Sequence, residues 1–403
     1  MSKTFCPLPW THLATHPHGI VSLCCESSSV NAESHSHDLV NGKKIFRTLN
    51  SEKYNFDRIH NSELFNDVRK KILEGEIPSP CKKCYELESV GIESKRLRES
   101  KRLNFNYNNA LEITNKDGSL KDLDYEFVEL RLGNHCNLAC RTCNPYSSTK
   151  MKSDWIKLHG RFDTDQKYFD WPLDDDFWKN LDKKTNNLRF IYINGGEPLL
   201  VDKHKQFLEM LVNRGVASKI KIHYSTNGTV KNQLYEDVWK EFLSVDFSIS
   251  IDDLKERNSY IRYPSDWNKI QEFLLWLQDL KEKHNNINFS ILQTVSTMNV
   301  FYLEEFYNYF NDRQILISHN FVSDPAYFSI TNLPSGLKKL VLNKIRNYPF
   351  YDSVKNFMSL NSNETKFFEF LEITKKFDTI RNQSFEKAFY DYAKIIELKI
   401  YEE

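Results

Sequence analysis

Glu126-Phe-Val-Glu-Leu-Arg-Leu132, then Gly-Asn-His, then Cys136-Asn-Leu-Ala-Cys140-Arg-Thr-Cys143: this stretch decides how the chain is read. Apolar residues recur at Val128, Leu130 and Leu132, the two-residue period of a strand. The cysteines that follow are spaced C-x3-C-x2-C, with no near fourth partner. Iron–sulfur clusters are ordinarily held by four cysteines. Three thiolates leave one corner of a cubane without a protein ligand and open to a small molecule, which points to a catalytic cluster. The other reading is a zinc knuckle completed by a distant ligand such as His135, although zinc sites usually pair one C-x2-C with another.

Outward from this stretch, strands and helices alternate. Strands are predicted at Glu126–Leu132, Arg189–Ile193, Lys219–Tyr224, Asp246–Ile251, Ile287–Val295 and Ile315–Val322, with amphipathic helices near 202–213, 231–243, 266–284 and 302–311. Such alternation implies an α/β fold with a parallel sheet and right-handed crossovers, its chemistry at the C-terminal ends of the strands. Residues 146–188 form a Trp- and Asp-rich insertion, and helices over about 335–400 close the chain.

Bulk composition restricts the function classes. Lys+Arg and Asp+Glu are equal at 55 each, so no basic face for nucleic acid is announced. No apolar run of about 18 residues and no basic-then-apolar N-terminal pattern occur, which predicts a cytoplasmic protein away from the membrane. The eight cysteines all fall at or before Cys143. Their crowding in the first third argues for metal ligation rather than a disulfide framework.

Two further features carry chemistry. Asn194-Gly-Gly-Glu-Pro198 ends the second strand, where two glycines let a backbone pass close to a ligand and Pro198 fixes the turn. In the N-terminal region stand Cys6, Cys24, Cys25 and the pair Cys81-Lys-Lys-Cys84, which follows a helical pattern from about Asn61 to Glu74 carrying Leu64, Phe65, Val68, Ile72 and Leu73. A structural four-thiolate zinc site is the alternative there.

The C-x3-C-x2-C motif after the first strand and Gly-Gly-Glu-Pro after the second resemble the radical S-adenosylmethionine (SAM) superfamily, over about residues 125–325. That resemblance implies a partial (β/α)6 barrel with SAM bound on a [4Fe–4S] cluster held by Cys136, Cys140 and Cys143. It implies that Gly195, Gly196, Glu197 and Pro198 bind the methionine amino group, that Thr226 and Asn227 of Ser225-Thr-Asn-Gly228 contact SAM, that Ser250 and Asp252 form a ribose motif, and that Arg262 binds a carboxylate. The sequence departs from the family at Thr142, where an aromatic residue is common, and at Asp253, where Gly is common.

Cys6, Gly19 and Cys24, with the downstream C-x2-C, resemble the SPASM/twitch auxiliary-cluster modules, here placed ahead of the barrel. That likeness implies a second, fully ligated [4Fe–4S] cluster on Cys6, Cys24, Cys81 and Cys84, with Cys25 replacing Cys24 or standing free. The implied organisation is a twitch-like module at 1–90, a connection at 91–124, the barrel at 125–330 and a helical extension at 331–403. The implied activity is reductive cleavage of SAM to a 5′-deoxyadenosyl radical that abstracts hydrogen from a peptide, protein or small molecule. A one-electron donor such as flavodoxin or ferredoxin would be its partner. No winged-helix segment precedes Cys6, which tilts against leader-peptide recognition. The rival class is a non-enzymatic iron–sulfur or zinc protein serving electron transfer or scaffolding.

Other features read as structural. His12, His16, His18, His35 and His37 are expected to face solvent, and Lys95–Arg102 to be a solvated helix face. Asp174–Asp176 suit a helix start, where carboxylates favour the macrodipole. Trp155, Trp171 and Trp178 are expected in the core of the insertion. Gln293, Thr294, His319 and Asn320, at the last strands, are positioned to face substrate.

Overall fold

A computed structural model describes residues 4–27, 33–89, 91, 93–360 and 363–400, the last three by backbone only. Residues 28–32 of the polar stretch after Ser27 lie outside the described residues. Among the described residues there are ten strands: β1 His12–Thr15, β2 Val21–Ser22, β3 His37–Val40, β4 Lys43–Phe46, β5 Phe127–Arg131, β6 Phe190–Asn194, β7 Lys221–Thr226, β8 Ser244–Ser250, β9 Ile287–Val295 and β10 Ile317–Phe321. The six strands expected from alternation are β5 to β10, with ends shifted by at most two residues. The chain divides into two compact units.

The first unit comprises Met1–His135, Thr164–Tyr224 and Gln233–Val245. Its strands follow the order β7-β6-β5-β1-β2. β5 and β6 pair in parallel from Phe127↔Phe190 to Arg131↔Asn194, and β6 and β7 from Phe190↔Lys221. The N-terminal region adds β1 in parallel beside β5, with His12 opposite Phe127, and β2 antiparallel to β1. β3 and β4 form a separate hairpin. Helix Lys203–Asn213 buries His204, Phe207, Leu208 and Leu211, a stripe at i, i+3, i+4 and i+7. The helix expected over 231–243 is a correction. It survives only as a 3₁₀ turn at Gln233–Tyr235 and a helix at Glu236–Trp239, because Leu243 N already bonds Ile220 O and draws the chain into β8.

The second half of the 146–188 insertion lies in this unit and supplies the crossover that a parallel β5–β6 pair requires. Helix Asp175–Asp182 is capped by Asp174, which accepts from Asp176 N, and carries Asp175 and Asp176 in its first turn. Trp171 and Trp178 are fully buried, their indoles donating to Pro17 O and Pro172 O, both at 2.9 Å.

The second unit comprises Cys136–Asp163, Ser225–Asn232 and Asp246–Glu403, with strand order β10-β9-β8. Helix Trp267–Lys283, N-capped by Asp266, buries Ile270, Phe273, Leu277 and Leu280. The C-terminal extension forms helices Ser335–Ile345, Asp352–Met358, Thr365–Arg381, Phe385–Ala388 and Tyr390–Ile400. Aromatic residues of the extension, among them Phe367, Phe370, Phe377, Phe385 and Phe389, join Tyr260, Val295 and Phe328 in one apolar core, with Trp155 packed against it.

Candidate functional site

The loop Cys136–Cys143 has no regular secondary structure, so its backbone must be satisfied by other elements. Ala139 N donates to Tyr263 O at 2.5 Å and Arg141 N to Ile261 O at 2.8 Å. Ser148 Oγ donates to Leu138 O at 2.5 Å, and Thr149 Oγ1 to Cys136 O at 3.3 Å. Leu138 and Ala139 are buried at the centre of the loop, while the three cysteines are half-buried and free of disulfides. Burial, with Cys140 and Cys136 close by, pushes the Cys143 thiol up to about 12. Burial also raises Cys140, against the opposing charges of Arg262 and Arg381.

Three other motifs of the sequence meet this loop within the same unit. Asn227, just past β7, donates from Nδ2 to Asn137 Oδ1 at 2.9 Å and lies 3.9 Å from Cys136 Sγ. Thr229 Oγ1 donates to Asn227 Oδ1 at 2.6 Å and accepts from Asn137 Nδ2 at 2.8 Å, closing a polar ring. Asp252, 1% exposed two residues beyond β8, accepts from Arg262 Nη1 at 2.8 Å and from Thr294 N at 3.0 Å. Although burial opposes its charge, Asp252 and the Cys140 and Cys136 thiols hold the Arg262 pKa above its ordinary value, and Arg262 Nε is buried with no hydrogen-bond partner. An orphaned guanidinium N–H beside cysteine thiols that form no disulfide fits an anionic group bound at those sulfurs. Ser250 ends β8 and is half-buried.

Gln293 and Thr294, expected to face substrate, both bond Asp252. Gln293 is buried and donates to Asp252 O at 3.1 Å, so both residues brace that aspartate. His319 is half-buried against Ser353, and Asn320 is exposed on β10. Asp253, the departure beside Asp252, is buried and paired with Arg257 at 2.9 Å.

The Gly195–Pro198 turn belongs to the first unit. Gly195 has φ +117°, and a Cβ there would stand 2.6 Å from Leu132 N; a Cβ on Gly196 would stand 2.2 Å from His135 O. The glycines therefore admit a close pass of residues 132–135, the segment that leads into Cys136. Glu197 is fully buried, its N–H donating to His135 O at 2.7 Å and its Oε1 accepting from Leu199 N at 3.1 Å, ahead of Pro198.

The first unit also gathers Cys6, Cys24, Cys81 and Cys84. Cys81 ends a 3₁₀ turn and Cys84 lies in helix Lys82–Ser89, which puts both on one face. Burial first, then Cys81, Cys24 and Cys84, raise the Cys6 pKa well above the ordinary thiol value, so the four sulfurs share one neighbourhood. Burial pushes Cys24 up to about 12. Leu8, Leu103 and Phe127 shield the group, with Cys6 and Cys24 packed against them. Buried, unbridged thiols in one neighbourhood are of the ligand type that an iron–sulfur or zinc centre takes, although the side chains as placed are not drawn together around a metal position. Cys25 is exposed and accepts from Lys95 Nζ at 2.9 Å, while Lys95 also pairs with buried Glu129 at 3.1 Å. Among the described residues, no three or more His, Cys, Asp or Glu side chains form a group that could hold a metal ion.

Two expectations need correction. In helix Lys95–Arg102, Lys95, Arg96 and Glu99 are buried, not solvated. The carboxylates Glu129 and Glu88 receive Lys95 and Arg96, and Arg102 lies over the Phe127 and Phe190 rings at 4.5 and 4.0 Å. The five histidines also turn inward: His12 is fully buried and stacks on Phe127 at 4.3 Å, His37 is buried, and His16, His18 and His35 are half-buried. Burial pushes His16 down to about 3 and His35 to about 4. Sequence reasoning missed Lys95 and Glu129, although a carboxylate in the middle of an apolar strand was a visible clue. It also missed Asp378 and Arg381, for which no local pattern exists.

The sequence matches the radical SAM superfamily over residues 130–304 and the SPASM iron–sulfur cluster-binding domain over residues 6–85. It is 30% identical over 234 residues to the uncharacterized protein MJ0907 of Methanocaldococcus jannaschii, covering 56% of this chain and 73% of that relative. Similar solved structures include anSMEcpe with bound AdoMet and the Cp18Cys peptide, at 17% identity and TM-score 0.38, covering 59% of this chain and 63% of that one. Another is Streptococcus suis SuiB bound to S-adenosylmethionine, at 15% identity and TM-score 0.38, covering 80% of this chain and 67% of that one. The chain thus spans less than two thirds of the anSMEcpe chain.

Proposed function

Because the chain belongs to the radical SAM superfamily and carries a SPASM region ahead of its barrel, we propose that it cleaves SAM reductively to abstract a hydrogen atom from a peptide, protein or small-molecule substrate. Its fold is the α/β partial barrel of that superfamily, and its cofactors are a [4Fe–4S] cluster that binds SAM, SAM itself and a further iron–sulfur cluster. When bound, the first cluster and SAM supply one electron and a carbon-centred 5′-deoxyadenosyl radical, the hard step that no side chain provides.

The protein's own residues hold and orient. Cys136, Cys140 and Cys143 are the thiolate ligands of the SAM cluster in this reading. Asn227 and Thr226 bind SAM beside Cys136, Asp252 and Ser250 take its ribose, and the Gly195–Pro198 turn takes its amino group. Arg262 receives the carboxylate, with its orphaned Nε as the available donor. The observation that carries the reading is the convergence of the three cysteines of the C-x3-C-x2-C loop with Asn227 and Arg262 inside one compact unit. Residues 1–90 form the auxiliary module, in which Cys6, Cys24, Cys81 and Cys84 are the ligands and Cys25 is instead engaged by Lys95. Residues 91–124 connect, 125–330 form the barrel and 331–403 the extension. The setting is cytoplasmic, with a flavodoxin- or ferredoxin-type donor.

Anaerobic reconstitution tests this. About eight irons per chain are expected from two four-iron clusters, and Cys81→Ser with Cys84→Ser should leave about half. Dithionite and SAM should then yield 5′-deoxyadenosine, abolished in Cys140→Ala. A loaded protein that leaves SAM intact overturns the proposal.

A further inference from the structure

The two residues flanking Cys140 are both gripped by one helical turn near the C-terminus, 242 residues away and outside the span matched to the superfamily. Arg381, the last residue of helix Thr365–Arg381, has a side chain only 1% exposed. Its Nη2 donates to Ala139 O at 2.7 Å and its Nε to Asp154 Oδ2 at 2.8 Å. The guanidinium lies over the Tyr263 ring at 4.7 Å and the Phe377 ring at 4.5 Å, and Nη1 is buried without a hydrogen-bond partner. On the other side of Cys140, fully buried Arg141 donates from Nη2 to Asp378 Oδ1 at 2.6 Å and to Gln383 Oε1 at 3.0 Å. Asp378 is itself fixed by Tyr260 OH at 2.6 Å and Phe385 N at 2.7 Å. Asp378 and Arg381 stand three apart, on one face of the helix.

Such a clamp does more than close a core. A loop of irregular backbone that carries three metal ligands must be held in shape before the metal arrives. A permanent cation in a low-dielectric surrounding also stabilises negative charge near it. The bond from Arg381 to the carbonyl of Ala139, the residue next to Cys140, sets that cation beside the loop that would receive the added electron.

We propose that Arg381 is a positioning residue of the C-terminal extension that fixes the Cys136–Cys143 loop through Ala139 and raises the reduction potential of the cluster bound to that loop. The inference rests on the proposed role of Cys136, Cys140 and Cys143. It also makes the extension part of the redox machinery.

The test uses the full chain carrying Cys81→Ser and Cys84→Ser, so that one cluster remains, reconstituted without oxygen. Potentials are measured by EPR-monitored titration, and cluster retention by iron release to a chelator. Arg381→Met keeps the volume and removes the charge. Its cluster should be about tenfold harder to reduce, a shift of 59 mV to lower potential for a one-electron couple. Arg381→Lys keeps the charge but cannot reach Ala139 O and Asp154 together. It should hold the potential and release iron about tenfold faster, the factor that outer-shell partners of metal ligands commonly command. If Arg381→Met loads no iron, Arg381→Lys alone decides, and wild-type release from it overturns the inference. An unchanged potential in loaded Arg381→Met overturns it as well. Should the parent chain bind no iron, the ligand assignment itself fails; a loaded cluster indifferent to Arg381 defeats only the present inference.

Discussion

His60 shows how completely one side chain can be committed to a protonation state. Its Nε2 donates to His12 O at 3.0 Å and its Nδ1 accepts from Tyr125 OH at 3.2 Å, which requires the neutral ring. Burial, reinforced by nearby Arg69 and opposed by the bond to His12 O, pushes its pKa down to about 3. The folded chain therefore binds a proton here less readily than the unfolded chain, whose histidines titrate near 6.5. The stability this group contributes is complete above about pH 6.5 and is lost as pH falls toward 3. Between pH 6.5 and 5.5 the loss approaches roughly 1 kcal/mol. His60→Gln, which keeps a donor and an acceptor, should flatten the pH dependence of urea unfolding in that window by nearly one proton. An unchanged slope would mean that His60 is charged when folded. Gly196 makes the same point sterically. Since a Cβ there would sit 2.2 Å from His135 O, Gly196→Ala should destabilise the chain by several kcal/mol, about the size of other severe backbone conflicts. Chemical denaturation of the variant measures it.

At the scale of elements, the C-x2-C pair and the segment after β2 deliver their sulfurs differently. Cys81 and Cys84 are aligned by a 3₁₀ turn running into a helix, whereas Cys24 and Cys25 are consecutive residues after β2, the first half-buried and the second exposed. Cys24 shares the neighbourhood of Cys81, and Cys25 takes the ammonium of Lys95. Cys25→Ser is thus expected to leave iron content unchanged, while Cys24→Ser lowers it by about half. Equal losses would return Cys25 to the ligand set. The parallel strands were legible because their apolar residues repeat every two positions and their crossovers every three or four. β1 was not, since His12-Leu-Ala-Thr15 is too short to show a period and its pairing with β5 spans over a hundred residues. The cysteine loop and Asn227 were legible as motifs. The buried Lys95–Glu129 pair was hidden because a charge run looks the same whether its partners are water or carboxylates in another element.

For the whole molecule, the decisive arrangement is that the cysteines divide between the compact units: Cys6, Cys24, Cys25, Cys81 and Cys84 in the first, Cys136, Cys140 and Cys143 in the second. The tail beyond residue 331 was readable as helical, but not as the wall of the second unit's core, because pattern reveals which face of a helix is apolar and not what covers it. Phe370 is fully buried there, with ring contacts to Phe328 at 6.0 Å and Phe385 at 5.9 Å. Truncating such a phenylalanine removes its transfer free energy and leaves a cavity, at a cost of about 3–5 kcal/mol. Phe370 belongs to the same apolar cluster as Ala139 and Met151 of the cysteine loop and its continuation, so the defect is felt where the thiols are held. Phe370→Ala, which alters no ligand, is expected to lower the iron bound by the Cys136 set while the four-thiol set stays loaded. Iron analysis of Phe370→Ala with and without the Cys81→Ser and Cys84→Ser changes separates the two contributions. Loss confined to the N-terminal set would show that the extension supports the other unit instead.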